Sequence, residues 1–193
     1  MHLIIIFLVL GLAYGLRCVD IFISPHWLVR WQRSLLLFIS SPLLLIATAI
    51  AVICMGPQGE MLGLSTGWIS YIMACSFCGW TGVLGLVLGY QGWRSVQKVN
   101  DYPQIDIKGK SVFLLDNPIL FSAQIGFWNS KLVVSKGLIE RLNSDQLYAV
   151  LNHEQAHYYY RDTFWFFWLG WLGKVVPFLP NNKILWDELL TLR

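Results

Sequence analysis

Charged residues are scarce in this sequence: they make up 13% of its 193 residues, whereas hydrophobic residues make up 56%. In a soluble domain about a quarter of the residues are charged, so this composition excludes an ordinary soluble protein and indicates a membrane protein. The net charge of +3 is small, and the placement of the basic residues accounts for it, so no nucleic-acid partner is predicted. The length leaves room for a few membrane-spanning helices and one small module outside the bilayer.

Cysteine is also rare, with four residues in the whole chain. Cys75 and Cys78 have the C-x-x-C spacing, but no second pair lies near them and the surrounding stretch is apolar. We therefore expect small, buried hydrophobic side chains here, and neither a metal site nor a redox site.

Three apolar stretches are predicted to span the membrane, at about residues 1–16, 35–54 and 67–90. The first stretch is short for a span, and a secretory signal peptide is the alternative interpretation. It has no Lys or Arg near its start, which favours a retained helix over a signal peptide. Residues 1–93 are accordingly predicted to form a transmembrane region.

Basic residues are unevenly divided between the connecting segments. The first segment, residues 17–33, contains three arginines, the second contains no Lys or Arg, and the segment after the third stretch begins with Arg94 and Lys98. Because cytoplasmic loops carry the excess of Lys and Arg, the N-terminus is predicted outside and the chain after the third span in the cytoplasm.

Residues 94–193 are predicted to form the module outside the bilayer. Residues 111–115 are a strand candidate, and residues 123–128 and 131–135 form a predicted hairpin around Asn129 and Ser130. The hairpin is either scaffolding or an exposed edge that holds an extended peptide by strand addition. The aromatic segment 163–180 contains Lys174, which leaves too short an apolar run to cross a bilayer and indicates an interfacial helix or a half-span hairpin.

The strongest chemical signal is the run His153-Glu154-Gln155-Ala156-His157. This H-E-x-x-H pattern is typical of a zinc metalloprotease helix. Residues four apart lie one above the other on a helix, so both imidazoles can reach one metal ion. Zinc in catalytic sites keeps a position open for water, and Glu154 is placed to take a proton from that water.

The surroundings of the motif support this interpretation. A helical count from Leu147 places both histidines and Glu154 on the arc that carries the apolar residues, which predicts that they face inward. Asn143 and Gln146 are spaced as a capping box that starts the helix. Asp162 is either an outer partner that orients a ligand histidine or a solvated charge at the helix end. The alternative to a metal site is an amphipathic helix whose two histidines are satisfied by hydrogen bonds.

Residues 144–162 resemble the HtpX-type and BlaR/MecR-type membrane zinc metallopeptidases, and residues 126–138 resemble the hairpin and following helix of the same families. The resemblance extends from Leu120 onward. It implies a zinc endopeptidase of the prokaryotic plasma membrane, with His153 and His157 as zinc ligands, Glu154 as general base, and a protein or peptide as substrate. The fold class that we expect is a mainly α membrane protein: three transmembrane helices followed by a small α+β, zincin-like module with a short hairpin and the motif helix.

The sequence departs from these families at the third metal ligand. Catalytic zinc takes three protein ligands, and in these families the third is a glutamate in a downstream Glu-x-x-x-Asp-like segment. Here Asp187 and Glu188 are the only acids of the tail, so Glu188, or a residue beyond Arg193, is expected to complete the site. The alternative function is a signalling or binding module, or an impaired fragment, that retains the metallopeptidase fold without turnover. The sequence does not predict the oligomeric state.

Overall fold

The structure is a computed structural model, and it describes residues 2–19, 30–61, 64–65 and 67–191. Seven helices are described: α1 (His2–Val19), α2 (Arg30–Met55), α3 (Gly67–Asn100), α4 (Lys136–Arg141), α5 (Ser144–Tyr159), α6 (Asp162–Val175) and α7 (Asn182–Thr191). Six short strands are described: β1 (Glu60–Met61), β2 (Leu64–Ser65), β3 (Gln104–Ile107), β4 (Lys110–Leu115), β5 (Ser122–Ile125) and β6 (Lys131–Ser135). The described part is therefore mainly helical with one small four-stranded sheet.

The chain forms two compact units. The first unit comprises Met1–Gly85 together with Leu169–Arg193, and the second comprises Leu86–Trp168. We predicted a transmembrane region over residues 1–93 and a separate module over residues 94–193. In the structure the C-terminal tail, Leu169–Arg193, belongs to the same compact unit as the apolar helices. The reason is that α7 packs against α2: Leu185 and Leu189 are buried, and the rings of Trp186 and Phe38 lie 5.9 Å apart.

Two of the described helices, α2 and α3, are long and apolar enough to cross a membrane. The expected three spanning helices are therefore not confirmed, because the apolar part of α1, Ile4–Cys18, is shorter than the helices that are long enough to span a membrane. Pro42 lies within α2, as expected of a membrane helix in which neighbouring groups compensate for the lost hydrogen bond. The helix α3 has 34 residues and continues ten residues beyond the predicted end at residue 90.

The prediction of a loop over residues 17–33 is wrong at both ends. Arg17 lies inside α1 and is fully buried, where its Nη2 donates a hydrogen bond to the carbonyl oxygen of Phe38 at 3.0 Å. The other two arginines, Arg30 and Arg33, lie in the first turns of α2. An arginine can lie within an apolar helix when a neighbouring carbonyl accepts a hydrogen bond from its guanidinium group. The sequence pattern did not show that the carbonyl of Phe38 would lie beside Arg17. The residues between α1 and α2, 20–29, lie outside the described residues.

The cysteines are free thiols, and Cys75 is exposed while Cys78 is half-buried. The expectation that this pair is buried is therefore wrong for Cys75. Both lie on α3, a helix whose apolar part is mostly exposed.

The second unit contains the four-stranded sheet, with strand order β3-β4-β6-β5. The strands β3 and β4 form an antiparallel hairpin, β4 and β6 pair in parallel, and β5 and β6 pair antiparallel. One face of the sheet packs on α5 through buried Val112, Val134, Leu147 and Leu151. The open edge at β5 is next to α5, which carries the motif.

The predicted hairpin is present, but its first strand is shorter than the predicted range 123–128. It ends at Ile125 because Gly126 has φ of 145°, a left-handed conformation that only glycine adopts without strain. The following loop is aromatic: the ring of Phe127 lies 5.0 Å from that of Phe164 and 5.1 Å from that of Phe167 on α6. At 14 residues α6 is too short to cross a bilayer.

Candidate metal centre

The motif helix α5 begins with the predicted capping box. The side-chain oxygen of Asn143 accepts hydrogen bonds from the backbone N–H groups of Asp145 at 3.1 Å and Gln146 at 2.9 Å. In return, the side-chain oxygen of Gln146 accepts the backbone N–H of Asn143 at 3.1 Å. These contacts satisfy N–H groups that have no partner within the helix, so the start of the helix, and with it the register of the motif, is fixed.

The two motif histidines converge on one point. Their Nε2 atoms lie 3.1 Å apart, because residues four apart share a helix face. Two zinc–nitrogen bonds of about 2.05 Å at a tetrahedral angle would place the nitrogens about 3.3 Å apart. The observed separation fits two ligands of a single zinc ion to within a few tenths of an ångström, and it equally fits a hydrogen bond between the two rings.

The inward orientation predicted for this face holds only in part. Leu147, Leu151 and Glu154 are buried, but His153 is exposed and His157 is half-buried. The helical count gave the direction of each side chain but not the depth of the packing, since the sheet covers only the first half of the face. The histidines lie where that cover ends, so they are accessible to a substrate.

Asp162 is buried and contacts His157, so it is not the solvated charge that was the alternative prediction. Its Oδ2 lies 2.7 Å from Nδ1 of His157, and the carboxylate is almost completely buried. A carboxylate accepts the Nδ1 proton and leaves the Nε2 lone pair of His157 directed at the point that it shares with His153. Between the two helices Arg161 has φ of 54°, and this turn brings Asp162 back to the ring.

Glu154 is buried and held by the edge strand. Ser122 Oγ donates a hydrogen bond to Glu154 Oε1 at 2.8 Å, and Gln124 Nε2 donates to the backbone oxygen of Glu154 at 3.1 Å. Within the part of the chain that the structure describes, the second carboxylate oxygen, Oε2, accepts no hydrogen bond. That oxygen is the one available to a water molecule.

Ser122 and Gln124 were missed by the sequence analysis. Alternate residues of a strand point to the same face, so two polar side chains at this spacing in the strand before the motif are a usable signal. The two residues were not singled out because no local sequence pattern indicates which strand of the sheet lies beside α5.

The described residues contain no group of three or more His, Cys, Asp or Glu side chains arranged to hold a metal ion. Glu188, the third ligand suggested by the tail, is instead bound within the first unit. Ser34 Oγ donates to one of its carboxylate oxygens and Arg30 Nε to the other. The hydrogen bond from Ser34, together with the hydrogen bond and charge of Arg30, lowers the pKa of Glu188 below its usual range.

The residues that are present fit the histidine half of a zinc site. The two imidazole nitrogens are spaced for one ion, one of them has a carboxylate partner on its other nitrogen, and a buried carboxylate lies beside them. These are the donor types and the outer-shell arrangement that catalytic zinc requires. What this part of the chain lacks is the third protein ligand.

Part of the chain matches a known protein family. Residues 104–178 match the sequence model of peptidase family M48; the matched segment begins at β3, ends after α6 and includes both histidines and Glu154. The match supports a metallopeptidase of this family, whose members are generally metal-dependent. It does not separate the HtpX type from the BlaR/MecR type. Searches of curated proteins and of solved structures gave no significant match.

Proposed function

We propose that this chain is a membrane-bound zinc endopeptidase that hydrolyses peptide bonds of protein substrates at the cytoplasmic face of a prokaryotic plasma membrane. The observation that carries the proposal is the convergence of the His153 and His157 Nε2 atoms at 3.1 Å beside a buried glutamate. This arrangement lies inside the segment that matches peptidase family M48.

The roles of the residues follow from their contacts. His153 and His157 would hold the metal, and Asp162 keeps the ring of His157 in the required tautomer. A bound zinc ion supplies Lewis acidity, which polarises a carbonyl group and activates water. Glu154 accepts a proton from the attacking water through Oε2 and delivers it to the amine nitrogen as the peptide C–N bond breaks. Ser122 keeps the carboxylate in place for both transfers.

Substrate is expected to bind along β5. This strand lies at the end of the sheet, so one of its edges is free to pair with an extended peptide by strand addition. Its residues Ser122 and Gln124 are hydrogen-bonded to Glu154, so a peptide on that edge lies next to the base. This favours strand addition over scaffolding alone as the role of the hairpin.

The membrane location is supported by α2 and α3, which have the length and composition of spanning helices. The cytoplasmic orientation is supported by the basic residues around the first connection and after α3, together with their absence from residues 55–66. Zinc is supported by the two imidazole donors and the outer carboxylate, a combination typical of zinc sites.

The test of the proposal is proteolysis by the purified chain in lipid nanodiscs after loading with zinc, with membrane-protein and peptide substrates. Glu154→Gln keeps the shape of the side chain and removes the base, so the cleavage rate should fall by at least about a hundredfold. The matched control is Glu140→Gln, the same change at an exposed position of α4, which should cleave like the wild type. Cleavage by wild type that is no faster than by Glu154→Gln would contradict the proposal.

A second candidate function is a signalling or binding module without turnover. The observation that favours it is the binding of the Glu188 carboxylate by Ser34 and Arg30, which uses the glutamate that was expected to complete the site. This candidate predicts weak or absent zinc together with a stably bound partner protein. Recovery of the chain from membranes, followed by metal analysis and identification of bound proteins, separates the two, because tight stoichiometric zinc counts against the module.

A further inference from the structure

A cavity lies in the second unit where β4 and β6 begin, beside the end of α5. Its volume is about 350 Å³, within the range of roughly 300–1,000 Å³ that is typical of sites for small ligands. Neither motif histidine lines it, nor does Glu154, so it is separate from the candidate metal centre. We call it the basic pocket, and its lining includes Lys110, Ser111, Phe113, Gln124, Lys131 and Tyr158.

Two lysines give the basic pocket a positive charge that no acid in its wall offsets. Lys110 Nζ donates to the main-chain oxygen of Leu151 at 3.2 Å and to Asn152 Oδ1 at 2.7 Å. Lys131 Nζ donates to Asn100 Oδ1. These acceptors are all neutral, and among the described residues that line the pocket there is no Asp or Glu. Because an ammonium group has three N–H donors, both lysines keep a donor for a bound anion.

The side chain of Gln124 favours a ligand that also carries a hydrogen-bond donor. Its Nε2 donates to the main-chain oxygen of Glu154 at 3.1 Å. Its Oε1 is buried and, within the ranges that the structure describes, accepts no hydrogen bond. Buried polar atoms normally have a partner, because leaving one without a hydrogen bond is costly. Since Gln124 lines the pocket, an O–H group on a ligand bound there can supply the missing donor.

We propose that the basic pocket binds a small soluble oxyanion of the phosphate type. Its oxygens accept hydrogen bonds from Lys110 and Lys131, and its own O–H group donates to Gln124 Oε1. Inorganic phosphate still carries an O–H group near neutral pH, whereas sulfate, which is similar in size and charge, carries none. The inference depends neither on the proposed peptidase function nor on a bound metal.

A soluble anion is favoured over the phosphate of a lipid headgroup by the position of the pocket along the chain. Lys131 contacts Asn100, the last residue of α3, and this residue lies ten positions beyond residue 90, the predicted end of the membrane span. At about 1.5 Å per residue, ten residues correspond to about 15 Å of helix. The headgroup region extends only about 5–8 Å beyond each side of the hydrocarbon core.

The first arm of the test measures binding of two anions. The full chain in phosphatidylcholine nanodiscs is dialysed to equilibrium against radiolabelled inorganic phosphate or radiolabelled sulfate, and empty nanodiscs give the background. We expect about one phosphate per chain with a Kd of about 1 mM or lower. Sulfate should bind at least about tenfold more weakly, because it leaves Gln124 Oε1 without a donor. Phosphate binding should persist after treatment with a chelator.

The second arm uses variants of the wall. Lys131→Gln should weaken phosphate binding at least about tenfold, whereas Lys131→Arg keeps the charge and should retain most of the binding. Tyr158→Glu places a carboxylate in the wall and should weaken phosphate binding as strongly, whereas Tyr158→Gln, which differs from it only in charge, should not. Lys136→Gln, at an exposed lysine of α4, should bind like wild type. Gln124→Leu should remove the preference for phosphate over sulfate.

Several results would overturn the inference. Wild type that shows no saturable phosphate binding would do so, as would Lys131→Gln and Tyr158→Glu variants that bind like wild type. Equal affinity of wild type for sulfate and phosphate would overturn the role of the O–H group. Binding that is lost with chelator would place the phosphate on a metal. Binding that is lost in phosphatidylglycerol nanodiscs but not in phosphatidylcholine nanodiscs would assign the pocket to a lipid headgroup. None of these assays involves peptide cleavage, so this inference and the peptidase function can fail separately.

Discussion

Removal of the Ser122 hydroxyl is the most informative single change at the candidate site. In Ser122→Ala the Glu154 carboxylate loses the hydrogen bond to Oε1, which is 2.8 Å long in the structure. Glu154 is 8% exposed, so water can replace the hydroxyl only in part. The backbone of α5 should keep its position, because Gln124 on β5 still donates its hydrogen bond to the main-chain oxygen of Glu154.

The expected magnitude follows from the charge of the acceptor. Hydrogen bonds to charged groups contribute about 1.5–3 kcal/mol, and about 1.4 kcal/mol corresponds to a tenfold change in rate. Because water recovers part of the loss, we expect the lower end of the range, a decrease in kcat of about tenfold. The KM should change little, because Ser122 holds the base and its hydroxyl is not expected to bind the substrate.

The assay is the initial rate of peptide cleavage by the zinc-loaded chain over a range of substrate concentrations. Ser122→Thr retains a hydroxyl at the same position and should restore most of the rate, whereas Ser130→Ala, in the loop between β5 and β6, should leave it unchanged. A Ser122→Ala variant as fast as wild type, or a Ser122→Thr variant as slow as Ser122→Ala, would refute the argument that this hydroxyl positions the base.

Three further predictions concern the cap, the outer shell and the tail. Asn143→Ala removes the helix cap and should lower the free energy of unfolding by about 1 kcal/mol in denaturant titrations. Asp162→Asn weakens the support of His157 and should lower zinc affinity by roughly 10- to 100-fold in chelator competition, with an unchanged circular dichroism spectrum. Glu188 has a lowered pKa because of Ser34 and Arg30, so its contribution to stability is present above the ordinary glutamate value and is lost as the pH falls through the lowered one. The melting temperature of Glu188→Gln should therefore be lower than that of wild type near neutral pH, and the two melting temperatures should approach each other in acid.

The parts of the site that depend on short-range spacing could be predicted from the sequence. The capping box at Asn143 and Gln146 is present as expected, because its residues are three apart on one helix turn. The convergence of His153 and His157 follows from the four-residue spacing in the same way. The strand Lys131–Ser135 was also predicted with its observed bounds, since its run of β-branched residues follows a turn signal.

Contacts between residues far apart in the chain could not be predicted. Ser122 meets Glu154 across 32 positions, and only the order of strands in the sheet brings them together. The contacts of Glu188 with Arg30 and Ser34 on α2 are longer in range still. Asp162 was uncertain for a different reason: the helical count assumed a continuous helix, whereas the chain turns at Arg161.

One strand was missed although its signal is local. The strand β3, Gln104–Ile107, pairs with β4 through a turn at Lys108 and Gly109, which have φ of 54° and 79°. Two successive residues with positive φ are typical of the tight turn that joins two hairpin strands. The glycine at the second position was therefore a usable indication, although lysine is an unusual residue at the first.

The most direct test of the account is the number of zinc ions bound to each purified chain. The protein is loaded with zinc, free metal is removed, and the bound zinc is measured by elemental mass spectrometry. We predict about one zinc per wild-type chain, with most of it lost in His153→Ala and in His157→Ala, and with wild-type content in the control Gln155→Ala. Wild-type protein that retains no zinc, or histidine variants that retain as much as wild type, would contradict the assignment of these two residues as metal ligands.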